Sequence, residues 1–154
     1  DKARATAIEL PSTPCLVLGA DTVVVLPEID DPDAPRFHGC GARVLGKPAD
    51  VEDARVMLRL LSGCEHMVLS SFALIAHPEG VVVSEVVETH VHIRQLTRRE
   101  IDDYIETGEP LDKAGAYGIQ GRGAILVTAI QGDYYTVVGL PLSRLWAKLM
   151  PWMV

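Results

Sequence analysis

Asp21 stands near the middle of an otherwise apolar run over residues 16–26, LVLGADTVVVL. Burying an unpaired carboxylate costs several kcal/mol at order of magnitude, so this side chain needs a cation, hydrogen-bond donors or an opening to water. Two readings fit: a turn between two strands, since Gly19 and Asp21 are both turn-compatible, or a carboxylate held at a cleft for chemistry. Two further stretches carry groups that would complement it, Gly46-Lys47-Pro48 and the run over residues 112–121, DKAGAYGIQG. Lysines approach phosphate oxygens as mobile point charges, and carboxylates hold hard divalent cations. Phosphoryl transfer needs that charge neutralisation together with an oriented water. Plainer readings stand beside this one: Lys47 as a solvated loop lysine, Asp112 and Lys113 as a surface pair, and Gly115, Gly118 and Gly121 as turn formers. Sequence order alone does not bring the three stretches together. Neither familiar glycine signature is present, because Gly46-Lys47-Pro48 lacks the upstream glycines and following hydroxyl of a P-loop, and no strand leads into GxGxxG.

The elements that must position these groups are legible from periodicity and caps. Residues 1–9 read as helix, stopped by Leu10-Pro11-Ser12-Thr13-Pro14. Residues 15–26 read as a strand, bent at Gly19. Residues 27–45, rich in acids, prolines and glycines, read as an exposed excursion. Asp50 caps a helix to about Leu61, with Val51, Ala54, Leu58 and Leu61 as its buried stripe and Met57 as packing. Strands over 66–76 and 81–94 form a hairpin around His77-Pro78-Glu79-Gly80. Thr97-Arg98-Arg99-Glu100 is a capping box for a helix that ends near Thr107-Gly108. A second hairpin is expected from residues 124–130 and 134–138, around Gln131-Gly132-Asp133. Pro141 then opens a final helix, with Leu142, Leu145, Trp146 and Leu149 facing inward. This order predicts one layered mixed α/β domain over residues 1–154 rather than a doubly wound dinucleotide fold.

The chain of 154 residues is long enough for one ordinary core, and 48% hydrophobic with 23% charged residues is a folded composition. A net charge of −7 argues against broad nucleic-acid binding, while leaving room for a small anionic ligand beside a few lysines. No apolar run reaches the roughly twenty residues that cross a bilayer, so no membrane partner and a cytoplasmic location are expected. Cys15, Cys40 and Cys64 fit neither a disulfide framework nor a zinc motif; Cys15 reads as a small core residue and Cys40 as a free loop thiol.

Taken in order, Gly19-Ala20-Asp21-Thr22-Val23-Val24, Leu45-Gly46-Lys47-Pro48, Leu61-Ser62-Gly63 with His66, the run from Tyr104 to Gly121, and Val138-Gly139-Leu140-Pro141 resemble the Maf family of nucleoside triphosphate pyrophosphatases. The resemblance implies an elongated twisted mixed sheet with flanking helices and a nucleotide cleft, a fold like that of inosine triphosphate pyrophosphatase. It implies hydrolysis of a nucleoside triphosphate between the α and β phosphates, with magnesium or manganese. Asp21 matches the catalytic proton acceptor and is the candidate metal ligand. Lys2, Lys47 and Lys113 match phosphate-site lysines, and Thr22 and Gln120 match positions that choose the base. That Thr and Gln pattern resembles the dTTP and UTP branch. A homodimer is the candidate assembly. The family's Ser-x-Ser-Pro-Arg-Arg phosphate motif and metal-associated glutamate precede the part matched by Lys2 and are not in this chain, so the expectation is a domain without its N-terminal strand. The passage over residues 27–45 is also longer than the family's short turn. Alternatives are a noncatalytic nucleotide-binding or structural interaction module, or a pyrophosphatase for modified nucleotides.

Overall fold

Two long apolar strands and their partners organise the molecule. The computed structural model describes residues 2–9, 13–27 and 43–153. In chain order these form α1 (Lys2–Glu9), β1 (Cys15–Leu26), β2 (Arg43–Leu45), α2 (Val51–Leu61), β3 (Glu65–His77), β4 (Val81–Ile93), α3 (Arg98–Glu106), β5 (Val127–Gln131), α4 (Tyr134–Val138) and α5 (Leu142–Leu149), with single 3-10 turns between α3 and β5. The strands make one sheet in the order β2-β1-β3-β4-β5. Every pairing among the described residues is antiparallel, so the sheet seen here is not the mixed one expected.

Period-two alternation decides what covers each face. On one face Val24 and Leu26 of β1 and Val68 of β3 join α2 and α3 in the main core, with Leu58, Leu61, Ile101 and Ile105. Further along the same face, Phe72 and Leu74 pack with Leu145 of α5. Val17 and its directly paired partner Ile75 lie on the opposite face under Ala3 and Ala7 of α1. Gly19 permits that approach: a Cβ there would stand 2.8 Å from the Ala3 Cβ. Pairing with β3 runs through Gly19 without a register shift, from Cys15 to Val25. Asp21 therefore sits within a strand opposite Ser71, which removes the turn reading.

The caps act as their residue types dictate. The Asp50 carboxylate accepts from the Asp53 amide at 2.8 Å, and Thr97 and Glu100 form a reciprocal capping box. Several expectations need correction. Residues 134–138 are helix α4, not a strand, because the Asp133 carboxylate caps the amides of Tyr135 and Thr136. Arg43–Leu45, assigned to the excursion, is a strand paired with Val24, Val25 and Leu26; the rest of that passage lies largely outside the described residues, Cys40 included. Cys15 is exposed at the start of β1 rather than in the core. Val51 is exposed, and in α5 Leu142 and Trp146 face outward at 44% and 54% exposure, leaving Leu145 as the buried anchor. Among the described residues no helix is long and apolar enough to cross a membrane.

Candidate functional site

The site begins where β2 stops. β2 pairs with β1 only at Val24, Val25 and Leu26, and among the described residues no strand continues that pairing along residues 15–23. A cleft of about 490 Å³ opens here, lined by Asp21, Thr22, Lys47, Asp112, Lys113 and Gln120 among others. Successive strand residues project to opposite faces, so Asp21 and Thr22 would be separated inside a sheet. Beside the end of the β1–β2 pairing both border one cavity. Five of the six residues singled out from the sequence thus meet. Lys2 begins α1, and its side chain lies outside the described residues.

On the lysine side, two distant loops are tied by backbone. The Gly115 amide donates to the Gly46 carbonyl at 2.9 Å, joining the segment of Lys47 to that of Lys113. Gly115 holds φ +69°, which favours glycine, and a Cβ there would come within 3.0–3.2 Å of the Val24 side chain, which would have to shift. Lys113 Nζ donates to Asp112 Oδ1 at 2.6 Å. That hydrogen bond holds the Asp112 carboxyl below its usual range, with the charges of Lys113 and Lys47 adding to it. Asp21 is exposed to the cleft, and Ser71 Oγ donates to its backbone carbonyl at 3.5 Å.

No group of three or more His, Cys, Asp or Glu side chains among the described residues is placed to hold a metal ion. The cleft is lined by two carboxylates, Asp21 and Asp112, the ligand type that a magnesium-like cation takes. Such an ion usually takes one or two carboxylates and completes its shell with water and substrate phosphates.

On the other side the walls are pinned by polar groups, of which Ser70 and Thr89 were not singled out from the sequence. Thr22 Oγ1 lies 2.7 Å from Ser70 Oγ and 3.2 Å from the Gly139 carbonyl oxygen. Ser70, directly opposite Thr22 on β3, also donates to the Thr136 carbonyl of α4 at 2.7 Å. Thr89 Oγ1 accepts from the Asp133 amide at 2.9 Å and donates to its carbonyl at 3.1 Å. The Gln120 wall is held differently. Tyr104 Oη accepts from the Gly118 amide at 3.1 Å, and the Glu109 carboxylate accepts from the amides of Arg122 and Gly123. Beneath it Tyr117, which lines the cleft, meets buried His66: Nε2 and Oη are 2.7 Å apart. Burial holds the His66 imidazole at about 4, with His92 adding to the effect, so the ring is neutral near pH 7. Burial also pushes Tyr104 up to about 12, and Tyr117 higher still. Hydroxyls in an apolar strand, as at Ser70, were the one sequence signal that could have marked this network.

Comparison with known proteins agrees with this geometry. A family model described as "Maf-like protein" matches residues 1–151. A dTTP/UTP pyrophosphatase of Symbiobacterium thermophilum is 50% identical over 143 residues, covering 93% of this chain and 64% of that protein. The protein of the same name from Dictyoglomus thermophilum is 48% identical over 130 residues, covering 84% of this chain and 60% of its own. That of Bacillus cytotoxicus is 47% identical over 146 residues, covering 95% and 68% respectively. The chain thus spans about two thirds of the length of these curated relatives.

Proposed function

Because this chain belongs to the Maf-like family, we propose that it hydrolyses a nucleoside triphosphate between the α and β phosphates, to nucleoside monophosphate and pyrophosphate. Uridine and thymidine triphosphates are the proposed substrates, as the names of its relatives suggest. The observation that carries the reading is the meeting of Asp21, Lys47, Asp112 and Lys113 with Thr22 and Gln120 around one cleft.

Lys47 and Lys113 neutralise the phosphate chain, and Asp112 holds Lys113 in place through its hydrogen bond. The Asp21 carboxylate accepts the proton of the water that breaks the anhydride. A divalent cation held by Asp21 and Asp112 would polarise the phosphate oxygens and lower the pKa of a bound water. Thr22 and Gln120 meet the base, through hydroxyl and amide groups that donate and accept hydrogen bonds.

Incubation with uridine triphosphate and magnesium tests the reaction. Equal amounts of uridine monophosphate and pyrophosphate are expected. Orthophosphate as the only inorganic product would overturn it, and nucleotide binding without any product would make this a binding module.

A further inference from the structure

Thr22 has one hydroxyl hydrogen, and its neighbours decide where that hydrogen goes. Ser70 is fully buried, and its Oγ lies 2.7 Å from the Thr136 carbonyl oxygen. A carbonyl only accepts, so the single Ser70 hydrogen is committed there. The 2.7 Å contact between the Ser70 and Thr22 hydroxyls must then use the Thr22 hydrogen. Among the described residues, the only other protein acceptor for that hydrogen is the Gly139 carbonyl, at 3.2 Å. Either way the hydrogen is consumed inside the protein, and Thr22 can turn only lone pairs toward the cleft.

We propose that Ser70 is a specificity-determining positioning residue: it makes Thr22 an acceptor, so that the cleft prefers a base whose ring nitrogen carries a hydrogen. The inference rests on the nucleotide reading above, and deepens it by assigning the direction of one hydrogen bond. Uracil and thymine carry N3–H between two carbonyl groups, whereas cytosine presents N3 as a bare acceptor. Two acceptors face to face gain no hydrogen bond and leave desolvated polar atoms unpaired, so cytosine is rejected. The flanking carbonyls of uracil and thymine suit the donor end of the Gln120 amide, which lines the same cleft. Guanine also carries a ring N–H, so this device separates uracil and thymine from cytosine rather than from every other base.

The test measures binding of uridine, cytidine and N3-methyluridine triphosphates by calorimetry in chelator, so that it does not depend on turnover. The chain itself should bind uridine triphosphate about tenfold or more tightly than the other two. Ser70→Ala leaves only the longer contact to the Gly139 carbonyl, at 3.2 Å, to hold the Thr22 hydrogen, so the hydroxyl can turn it toward the cleft part of the time and the uridine-to-cytidine ratio should fall severalfold. Ser70→Thr, which keeps the hydroxyl, should preserve it. Loss of the Thr136 partner also weakens the fold, so Thr22→Val provides an independent arm: it should remove the penalty for N3-methylation. An unchanged ratio in folded Ser70→Ala, equal binding of N3-methyluridine and uridine triphosphates by the unaltered chain, or no binding of either would overturn the proposal. Preferential uridine binding without hydrolysis would support it while rejecting the proposed reaction.

Discussion

The two walls of the cleft are built from different chemistry. The α4 wall is tied to the sheet by hydroxyls of Ser70 and Thr89, both fully buried. The Gln120 wall is tied mainly by Glu109, a partly exposed carboxylate accepting from the amides of Arg122 and Gly123, and by Tyr104. A buried hydroxyl that loses its partner cannot be rescued by bulk water, so its bonds are rigid and directional. A carboxylate near solvent competes with water for the same amides and contributes less. One wall is therefore held rigidly, and the other presents a more adjustable Gln120 amide to the cleft.

The proposed proton acceptor, Asp21, belongs to neither wall, and the largest effect should come from it. Asp21→Asn keeps size but removes charge and basicity; turnover should fall about 10²–10⁴-fold with little change in unfolding midpoint. Near-normal turnover in the folded variant would assign the proton to another group.

The walls themselves separate on stability. Thr89→Val deletes both bonds to the Asp133 backbone and should cost about 1–3 kcal/mol in urea unfolding. Glu109→Gln keeps an acceptor beside Arg122 and Gly123, and should cost under about 1 kcal/mol. Equal costs would break the contrast.

Besides the buried Tyr104, the Gln120 wall has a second buried anchor, the His66–Tyr117 contact, and pH reveals it. The folded His66 ring titrates at about 4 against an ordinary 6.5. As pH falls between those values the unfolded chain takes up a proton that the folded chain refuses, so stability present above pH 6.5 is progressively lost. Denaturant titrations should show this slope, and His66→Gln should flatten it in that window.

The smallest expected effect is at Gln120. Gln120→Ala should narrow the preference for uridine and thymidine triphosphates over purine triphosphates several-fold, with stability within about 0.5 kcal/mol of the starting chain. Equal loss of kcat/KM for every base would make Gln120 a support for the loop instead.

Local signals were sufficient where a residue's own neighbours in sequence do the work. The Asp50 cap, the Thr97–Glu100 box and the long alternating strands β3 and β4 appear where their patterns place them. They failed at residues 134–138, where Tyr-Tyr-Thr-Val-Val has strong strand propensity. There the Asp133 cap and the Ser70 and Thr89 contacts favour a single helical turn and a half. Trp146 failed for a related reason: helical spacing identifies a stripe, but only the width of the neighbouring sheet decides how much of it is covered.

The sequence by itself marked candidate groups, because charge belongs to the side chain: Asp21, Lys47 and Lys113 stood out as charges beside element ends, and Thr22 and Gln120 through the family resemblance. It also determined the capped helices and the main strands, whose stabilising contacts lie within a few residues. Tertiary structure alone decided that Asp21 and Thr22, on opposite faces of one strand, line one cavity beside the end of the β1–β2 pairing at Val24. It alone decided that the Thr22 hydroxyl meets Ser70, 48 residues away, and the Gly139 carbonyl, 117 residues away. The direction of a hydrogen bond depends on what surrounds both atoms, and those surroundings come from distant parts of the chain.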